Sequence, residues 1–400
     1  MTPSNLPFRL PVYLDHHATT PLDPRVLEVM LPYLREDFGN ASSTDHVYGA
    51  RAADAVEAAR EKVARSLGAS PEEIVFTSGA TESDNLAISG VVPREGLATS
   101  HFVTSAIEHK AVLDTFSALE REGASVTYLP VDRKGVVSPE RLEASLTPRT
   151  RLVSIMWANN EIGTVQDIRS LAAVTHKEGA LFHTDAAQAV GHIPTSVEET
   201  DVDLMSFSAH KSHGPKGVGG LYVRRRRRHV RLSPMLLGGG QERGLRSGSL
   251  NVPGIVGAGE ALDLSRKLMP EEPKRVAHLR NLLERALLEV PDASVNGDQS
   301  QRLPNNLSVT FRGIEGKALI SAVSRNVAFS ASSACSTQTV EPSHVLLAIG
   351  LTPQEAHQTV RFGLGRFTTK EDIHFSSECL VDGVRRLGRI AGRGQHSGPS

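Results

Sequence analysis

Apolar residues recur along this chain with two different periods. From Ala50 to Leu67, the residues Ala55, Val56, Ala59, Val63, Ala64 and Leu67 return to one helical face. That spacing predicts a helix, and Gly68 follows as its C-cap. Ile74-Val75-Phe76-Thr77 then reads as a strand, and Ser78-Gly79-Ala80-Thr81-Glu82-Ser83 opens the next helix. Further β-rich runs follow at 101–104, 125–129, 152–156, 180–183, 204–207 and 220–223, most of them separated by helical segments. Strands joined by helical crossovers predict a mainly parallel sheet. A long helical region starts near Pro253 and reaches the 280s, after which the composition shifts to a smaller αβ unit. Residues before about Tyr13 read as a loose arm, and Ala391 to Ser400 as a disordered Gly/Ser-rich tail. No internal repeat is present.

At 400 residues the chain exceeds the size at which one core stops growing, so two domains are expected. We place an arm at 1–14, a large domain at 15–262, a small domain at 263–390 and the tail at 391–400. With 39% apolar and only 4% aromatic residues, the cores are aliphatic. A net charge of −1 gives no long-range field for nucleic acid or an anionic membrane. No uninterrupted apolar run approaches the roughly 20 residues of a spanning helix, and Met1-Thr2-Pro3-Ser4-Asn5 has no signal-peptide character. The two cysteines, Cys335 and Cys379, exclude a disulfide framework and point to a reducing, cytoplasmic setting. Arg224–Arg228 invite a nucleic-acid reading, but a solvated strand end after Tyr222-Val223 accounts for them, with 45 acids elsewhere. No metal motif stands out: His210-Lys211-Ser212-His213 lacks a third ligand, and His16 and His17 are adjacent.

The candidate chemistry centres on Lys211. The strand-like run 204–207 leads into Ser208-Ala209-His210-Lys211, and upstream Phe182-His183-Thr184 ends in Asp185. A pyridoxal phosphate enzyme needs such a pair, a lysine to hold the aldehyde as a Schiff base and an aspartate to pair with the ring nitrogen. Ser78-Gly79-Ala80-Thr81, between a strand and a helix, offers a cup of N–H groups for the phosphate, which Ser208 and His210 could complete. Gln188 and Asn160 could donate to the phenolic oxygen. His109 begins a helix after a strand, where it could stack on the ring and act as acid or base. Cys335 lies in a small, polar, aperiodic stretch, Ala328 to Ser343, that reads as a mobile loop with an accessible thiol. Cys379, beside Leu380 on a helical pattern, reads as an apolar filler.

These segments together resemble the cysteine desulfurases of the NifS/IscS type, within the class V aminotransferase-like pyridoxal phosphate enzymes. The matching stretches are Tyr13-Leu14-Asp15, Ala18-Thr19-Thr20-Pro21, Phe38-Gly39-Asn40, Thr77-Ser78-Gly79-Ala80-Thr81-Glu82-Ser83-Asp84-Asn85 and Glu108-His109-Lys110. They continue with Asn159-Asn160-Glu161-Ile162-Gly163, Ser206-Phe207-Ser208, His210-Lys211, Arg246-Ser247-Gly248, Ser333-Ala334-Cys335 and Arg361-Phe362 with Gly365-Arg366. The resemblance implies an α/β chain with the type I aminotransferase fold. Its large domain would carry a mainly parallel mixed sheet flanked by helices, and a smaller C-terminal αβ domain would carry the cysteine loop at about 328–342. It further implies a homodimer in which Ser249 reaches the neighbouring subunit's phosphate.

By the same resemblance Cys335 takes sulfur from bound L-cysteine as a persulfide and passes it to an acceptor protein, leaving L-alanine. Arg361, a planar fork suited to a carboxylate, would hold the substrate with help from Asn40. Selenocysteine lyase and class V transaminase are the alternative activities, and a partner-binding sulfur-delivery scaffold is a third. Iron–sulfur cluster assembly is the default destination, with tRNA thiolation and DNA phosphorothioation machinery as alternatives. The chain departs from the family at Ser336-Thr337-Gln338, where Thr-Ser-Ala is more usual, and at Ser249, where threonine is common.

Overall fold

The first long helix, Val47–Leu67, stops where its periodicity stops. Gly68 takes a left-handed φ of 68°, and its N–H closes on the Ala64 carbonyl. The computed structural model describes residues 10–92, 96–226, 228–331 and 341–390. Its strands are, in chain order, Val12–Tyr13 (β1), Ile74–Thr77 (β2), His101–Ser105 (β3), Ser125–Leu129 (β4), Thr150–Ser154 (β5), Leu181–Asp185 (β6) and Leu204–Ser208 (β7). Gly219–Val223 (β8), Ala293–Val295 (β9), Asn306–Phe311 (β10), Val327–Ala328 (β11), Ser330–Ala331 (β12) and Thr359–Gly363 (β13) follow.

A seven-stranded sheet has the order β2-β8-β7-β6-β5-β3-β4. β8 runs antiparallel to β2 and β7, and every other neighbouring pair is parallel. Strands β2, β3, β5, β6 and β7 therefore all end at one edge. Alternation splits each strand between the two faces: Ile74 and Phe76 join one apolar cluster with Val56, Val63, Met205 and Ile255, while Val75 joins another with Leu86, Phe102, Phe116 and Leu204. A second sheet, β12-β13-β10-β9, is antiparallel and has its own cluster, built from Leu279, Leu283, Leu307, Val309, Phe362 and Leu380.

Four expectations shift. The loose arm ends earlier than Tyr13: β1 pairs in parallel with β11, because the alternating Val12 and Leu14 are buried in the second cluster. The run placed at 152–156 is a strand at Thr150–Ser154, since Thr150 enters the ladder opposite His101 through a register irregularity. The long helical region is two helices, Val252–Leu268 and Glu272–Leu288. Pro270 lies between them and has no N–H to continue the first, and a proline opens the second. Arg224, finally, is buried rather than solvated, because Asp201 at 2.6 Å and Asp203 at 3.7 Å give its charge partners. The disordered tail expected at 391–400 and Arg227 lie outside the described residues. No helix among the described residues is long and apolar enough to cross a membrane.

The edge strand β2 is fastened by one buried ion pair. Arg60 donates to both Glu242 oxygens at 2.8 Å and to the Ile74 carbonyl at 3.0 Å, and Glu242 also accepts the Phe76 N–H at 2.7 Å. Removing one partner of such a pair strands the other in a medium that cannot solvate it. Glu242→Ala should therefore cost about 3–5 kcal/mol in urea denaturation. Truncating Glu57, which meets Arg60 from the surface, should stay within about 1 kcal/mol.

Histidines join the N-terminal segment to the rest of the molecule. His16 Nδ1 lies 2.8 Å from the Gly363 carbonyl of β13. His213 accepts the Arg366 N–H at 3.2 Å on Nε2, which leaves Nδ1 to donate to the Pro21 carbonyl at 3.0 Å, an arrangement open only to the neutral ring. Burial holds His16 down at about 4 and His213 at about 3, against an ordinary 6.5. Between those values the unfolded chain binds more protons than the folded one, so stability rises with pH there. Unfolding free energy should stay level above pH 6.5 and fall as pH drops toward 4. His16→Gln should lower stability at neutral pH and reduce that slope, as urea denaturation across this range would show.

Candidate active site

The shared strand edge collects the chemistry. After β2, Gly79 takes a φ of 153° that favours glycine and caps the helix Ala80–Gly90. A Cβ at Gly219 of β8 would lie 2.7 Å from the Gly79 Cα, so this close pass needs glycine at 219. Ser78 N–H is taken by Glu82 at 2.7 Å, and Glu82 is held by Arg246 Nε at 2.9 Å. The next N–H groups, which a first helical turn leaves unbonded, belong to Ala80 and Thr81, and both residues line a cavity of about 360 Å³.

Across this cavity β7 ends at Ser208, and one 3-10 turn, Ala209–Lys211, presents the lysine. Lys211 Nζ donates to the His17 carbonyl. Asp185 closes β6, and its carboxylate accepts the Ala187 N–H at 2.9 Å. Burial pushes the Asp185 carboxyl up, while His109, the Ala187 N–H and Lys211 pull it back. His109 caps the helix Lys110–Arg121, with Nδ1 accepting the Ala111 N–H at 3.2 Å. His210 faces Thr19 Oγ1 at 3.1 Å, and burial keeps its imidazole at about 4, neutral at neutral pH. Gln188 is held on both sides by His17: Oε1 lies 2.8 Å from His17 Nδ1, and Nε2 donates to the His17 carbonyl at 3.0 Å.

The fold thus brings Ala80, Thr81, His109, Asn160, Asp185, Gln188, Ser208, His210 and Lys211 to one cavity. It does not bring all the candidates there. Arg361 lies on β13 with its guanidinium buried, donating to Asp15 at 3.0 Å and to the Asn160 carbonyl at 2.9 Å, and its Nε has no partner. Asn40 is exposed, with Oδ1 accepting the Ser42 N–H at 3.0 Å. Ser249 is also exposed and away from the cavity. Cys335 lies outside the described residues. Cys379 is half-buried against the second cluster and accepts from Asn326 Nδ2 at 3.3 Å.

Asp84, Met156 and Lys216 line the cavity without having been singled out. Asp84 had a readable signal: a carboxylate four residues from both Ala80 and Ile88, on a helix face otherwise apolar. Glu108 lies beside His109, fully buried, accepting from Ser105 Oγ at 2.6 Å and Met156 N–H at 2.9 Å, and burial pushes it up to about 8. Neither the burial nor the Met156 contact was readable from spacing.

The donor set fits pyridoxal phosphate. Helix N–H groups and the Thr81 and Ser208 hydroxyls suit a phosphate, Lys211 an aldehyde, Asp185 a ring nitrogen and His109 a ring face. The family model described as Aminotransferase class-V matches residues 12–375. A protein of Anaeromyxobacter sp. (strain Fw109-5) named Cysteine desulfurase IscS is 53% identical over 380 residues, covering 95% of this chain and 94% of that one. A cysteine desulfurase of Mus musculus is 47% identical over 378 residues, covering 94% of this chain and 82% of that one. A solved structure described as a NIFS-like protein superposes with a TM-score of 0.85 at 40% identity, covering 96% of this chain and 100% of that one. Matched across nearly its whole length, the chain belongs to the aminotransferase class-V family, among the pyridoxal phosphate-dependent cysteine desulfurases of the NifS/IscS type.

Proposed function

We propose that this chain takes sulfur from L-cysteine onto Cys335 and delivers it for iron–sulfur cluster assembly, working in the cytoplasm as a homodimer. The observation that carries the site assignment is the single cavity that joins Lys211, Asp185 and the helix N-terminus at Ala80 and Thr81. Its relatives' name supports the destination. Exposed Phe38, Tyr48 and Leu237 support a partner copy, as does Ser249, which is exposed and does not line its own cavity. The second apolar cluster, drawn mainly from residues 276–384, supports a smaller C-terminal domain within 263–390, with Leu303, Val345, Leu346, Ile349 and Ala356 packing instead on the core of the large domain at 15–262.

Bound pyridoxal phosphate supplies an electron sink for bonds at the substrate α- and β-carbons. The chain's residues do the rest. Ala80, Thr81, Ser208 and His210 would hold the phosphate, Gln188 and Asn160 the phenolic oxygen, and Asp185 the ring nitrogen. Lys211 would hold the aldehyde carbon, and its amine is placed to move the α-proton of a bound substrate. Arg361 takes the substrate carboxylate with Asn40, exchanging its pairing with Asp15 for that of the ligand. His109 manages the proton on the substrate sulfur. The Cys335 thiolate attacks that sulfur: the S–S bond forms as the C–S bond breaks, and the three-carbon remainder takes protons and leaves as alanine.

Cys335→Ala should abolish alanine formation from L-cysteine, and mass spectrometry of the wild type should find one added sulfur on Cys335. Persistent activity with an unmodified Cys335 would favour a lyase or transaminase. Arg361→Lys should raise KM for cysteine roughly 10-fold, since the bidentate fork is lost. Loss of iron–sulfur enzyme activity in a strain lacking the protein, with tRNA and DNA sulfur content intact, would support the assigned destination.

A further inference from the structure

The cavity holds a second buried aspartate that the reaction does not use. Asp84 projects from the helix Ala80–Gly90, is 0% exposed, and lines the same cavity as Asp185 and Lys211. Neither of its oxygens completes a hydrogen bond of normal length and angle; the Ser206 hydroxyl faces it but is paired with His183 Nε2 at 3.0 Å. The nearest basic group is His183 Nε2 at 3.7 Å, but that ring is already engaged, with Ser206 Oγ at 3.0 Å on Nε2 and Ser154 Oγ at 2.8 Å on Nδ1. His183 lies on β6 two residues before Asp185, on the same face of the strand, and Asp84 and Asp185 line the same cavity.

A buried carboxylate without a partner is among the most costly groups a fold can hold, and two that share one buried cavity repel each other's charge. The surroundings decide which one keeps the charge. Asp185 faces His109 and Lys211 and accepts the Ala187 N–H. Asp84 faces Asp185, Glu108, the Ser206 hydroxyl and the His183 ring, and burial holds that ring neutral at about 3. All cationic compensation therefore lies on the Asp185 side.

We propose that Asp84 is a positioning residue for the cofactor ring: it carries the one proton of the Asp84–Asp185 pair and donates it to Asp185, fixing that carboxylate, as an anion, toward the ring nitrogen. The proposal rests on the reading of Asp185 as the ring-nitrogen partner. Pair and ring then share a fixed count, one proton on Asp84, one negative charge on Asp185 and one proton on the nitrogen. Removing the donor leaves Asp185 with less hydrogen bonding to its charged form, which raises its carboxyl pKa. Cofactor affinity depends on that anion, so it should then be lost at a higher pH on acidification.

The test is the pyridoxal phosphate Kd of the apoprotein, followed by absorbance from pH 8 to pH 5, for the wild type, Asp84→Asn and Asp84→Leu. Asparagine keeps a neutral donor and should follow the wild-type acid limb. Leucine removes it and should move the limb up by about one pH unit. Equal shifts in both variants would show that Asp84 acts as an anion, and no shift in either that it does not act on Asp185. Both results overturn the proposal. Should the leucine variant fail to fold, infrared spectra of wild-type apoprotein with carbon-13-labelled aspartate decide the matter independently of Glu108. A protonated aspartate band at pH 7 that disappears in Asp84→Asn is expected, and its absence from the wild type overturns the proposal. Asp185→Asn separates the underlying reading: unchanged cofactor affinity there would remove Asp185 as the ring partner while leaving the proton on Asp84 intact.

Discussion

The direction of five strands governs what this molecule can do. β8 is antiparallel to both its neighbours, so β2 runs the same way as β7, and β3, β5, β6 and β7 are parallel. Every loop leaving those strands therefore emerges at one edge, with helices packed on both faces of the sheet. The glycine turn, His109, Asn160, Asp185 and Lys211 are distant in sequence and share a cavity only because of that polarity. A single reversed strand would send its functional residue to the opposite edge.

Burying so much polar chemistry at a sheet edge raises an electrostatic problem, and the structure answers it in two ways. Acids that meet cations or N–H groups can remain charged: Glu242 has Arg60, and Asp185 has His109, Lys211 and the Ala187 N–H. Where burial outweighs the partners, acids are pushed toward neutrality: Glu108 to about 8 despite Ser105 and the Met156 N–H, and Glu161 to about 7 despite Ser343 and Arg361. The histidines follow the same rule in reverse. His16, His183 and His213 are held neutral by desolvation, which lets each ring both donate and accept. The pocket floor is thus a network of neutral rings and hydroxyls around a few placed charges.

The N-terminal segment ties this pocket to the second sheet. His17 holds Gln188 from one side and meets Asn306 of β10 at 3.1 Å from the other. Arg361 of β13 reaches both Asp15 and the Asn160 carbonyl. Residues 15–17 therefore act as a common buttress, so displacement of either sheet would be felt at Gln188 and Asn160. Arg361 is poised there with an unpartnered Nε, close to the cavity wall without lining it.

Most elements and most of the chemistry are legible in the chain. β-rich runs mark the strands, Gly68 marks a helix end, and Lys211, Asp185 and the 78–81 turn each sit at an element boundary where local sequence can find them. Local propensity could not register partners distant in the chain. It read Val12 and Leu14 as a loose arm because their mate β11 lies more than three hundred residues away. It read Arg224 as solvated because Asp201 and Asp203 reach it only through packing. Asp84 did carry a local signal, a carboxylate on an otherwise apolar helix face, but that it shares a cavity with Asp185 is set only by the sheet. Tertiary structure decided burial, and burial decides whether a carboxylate is a solvated charge or a proton carrier, because only contacts across the fold remove water.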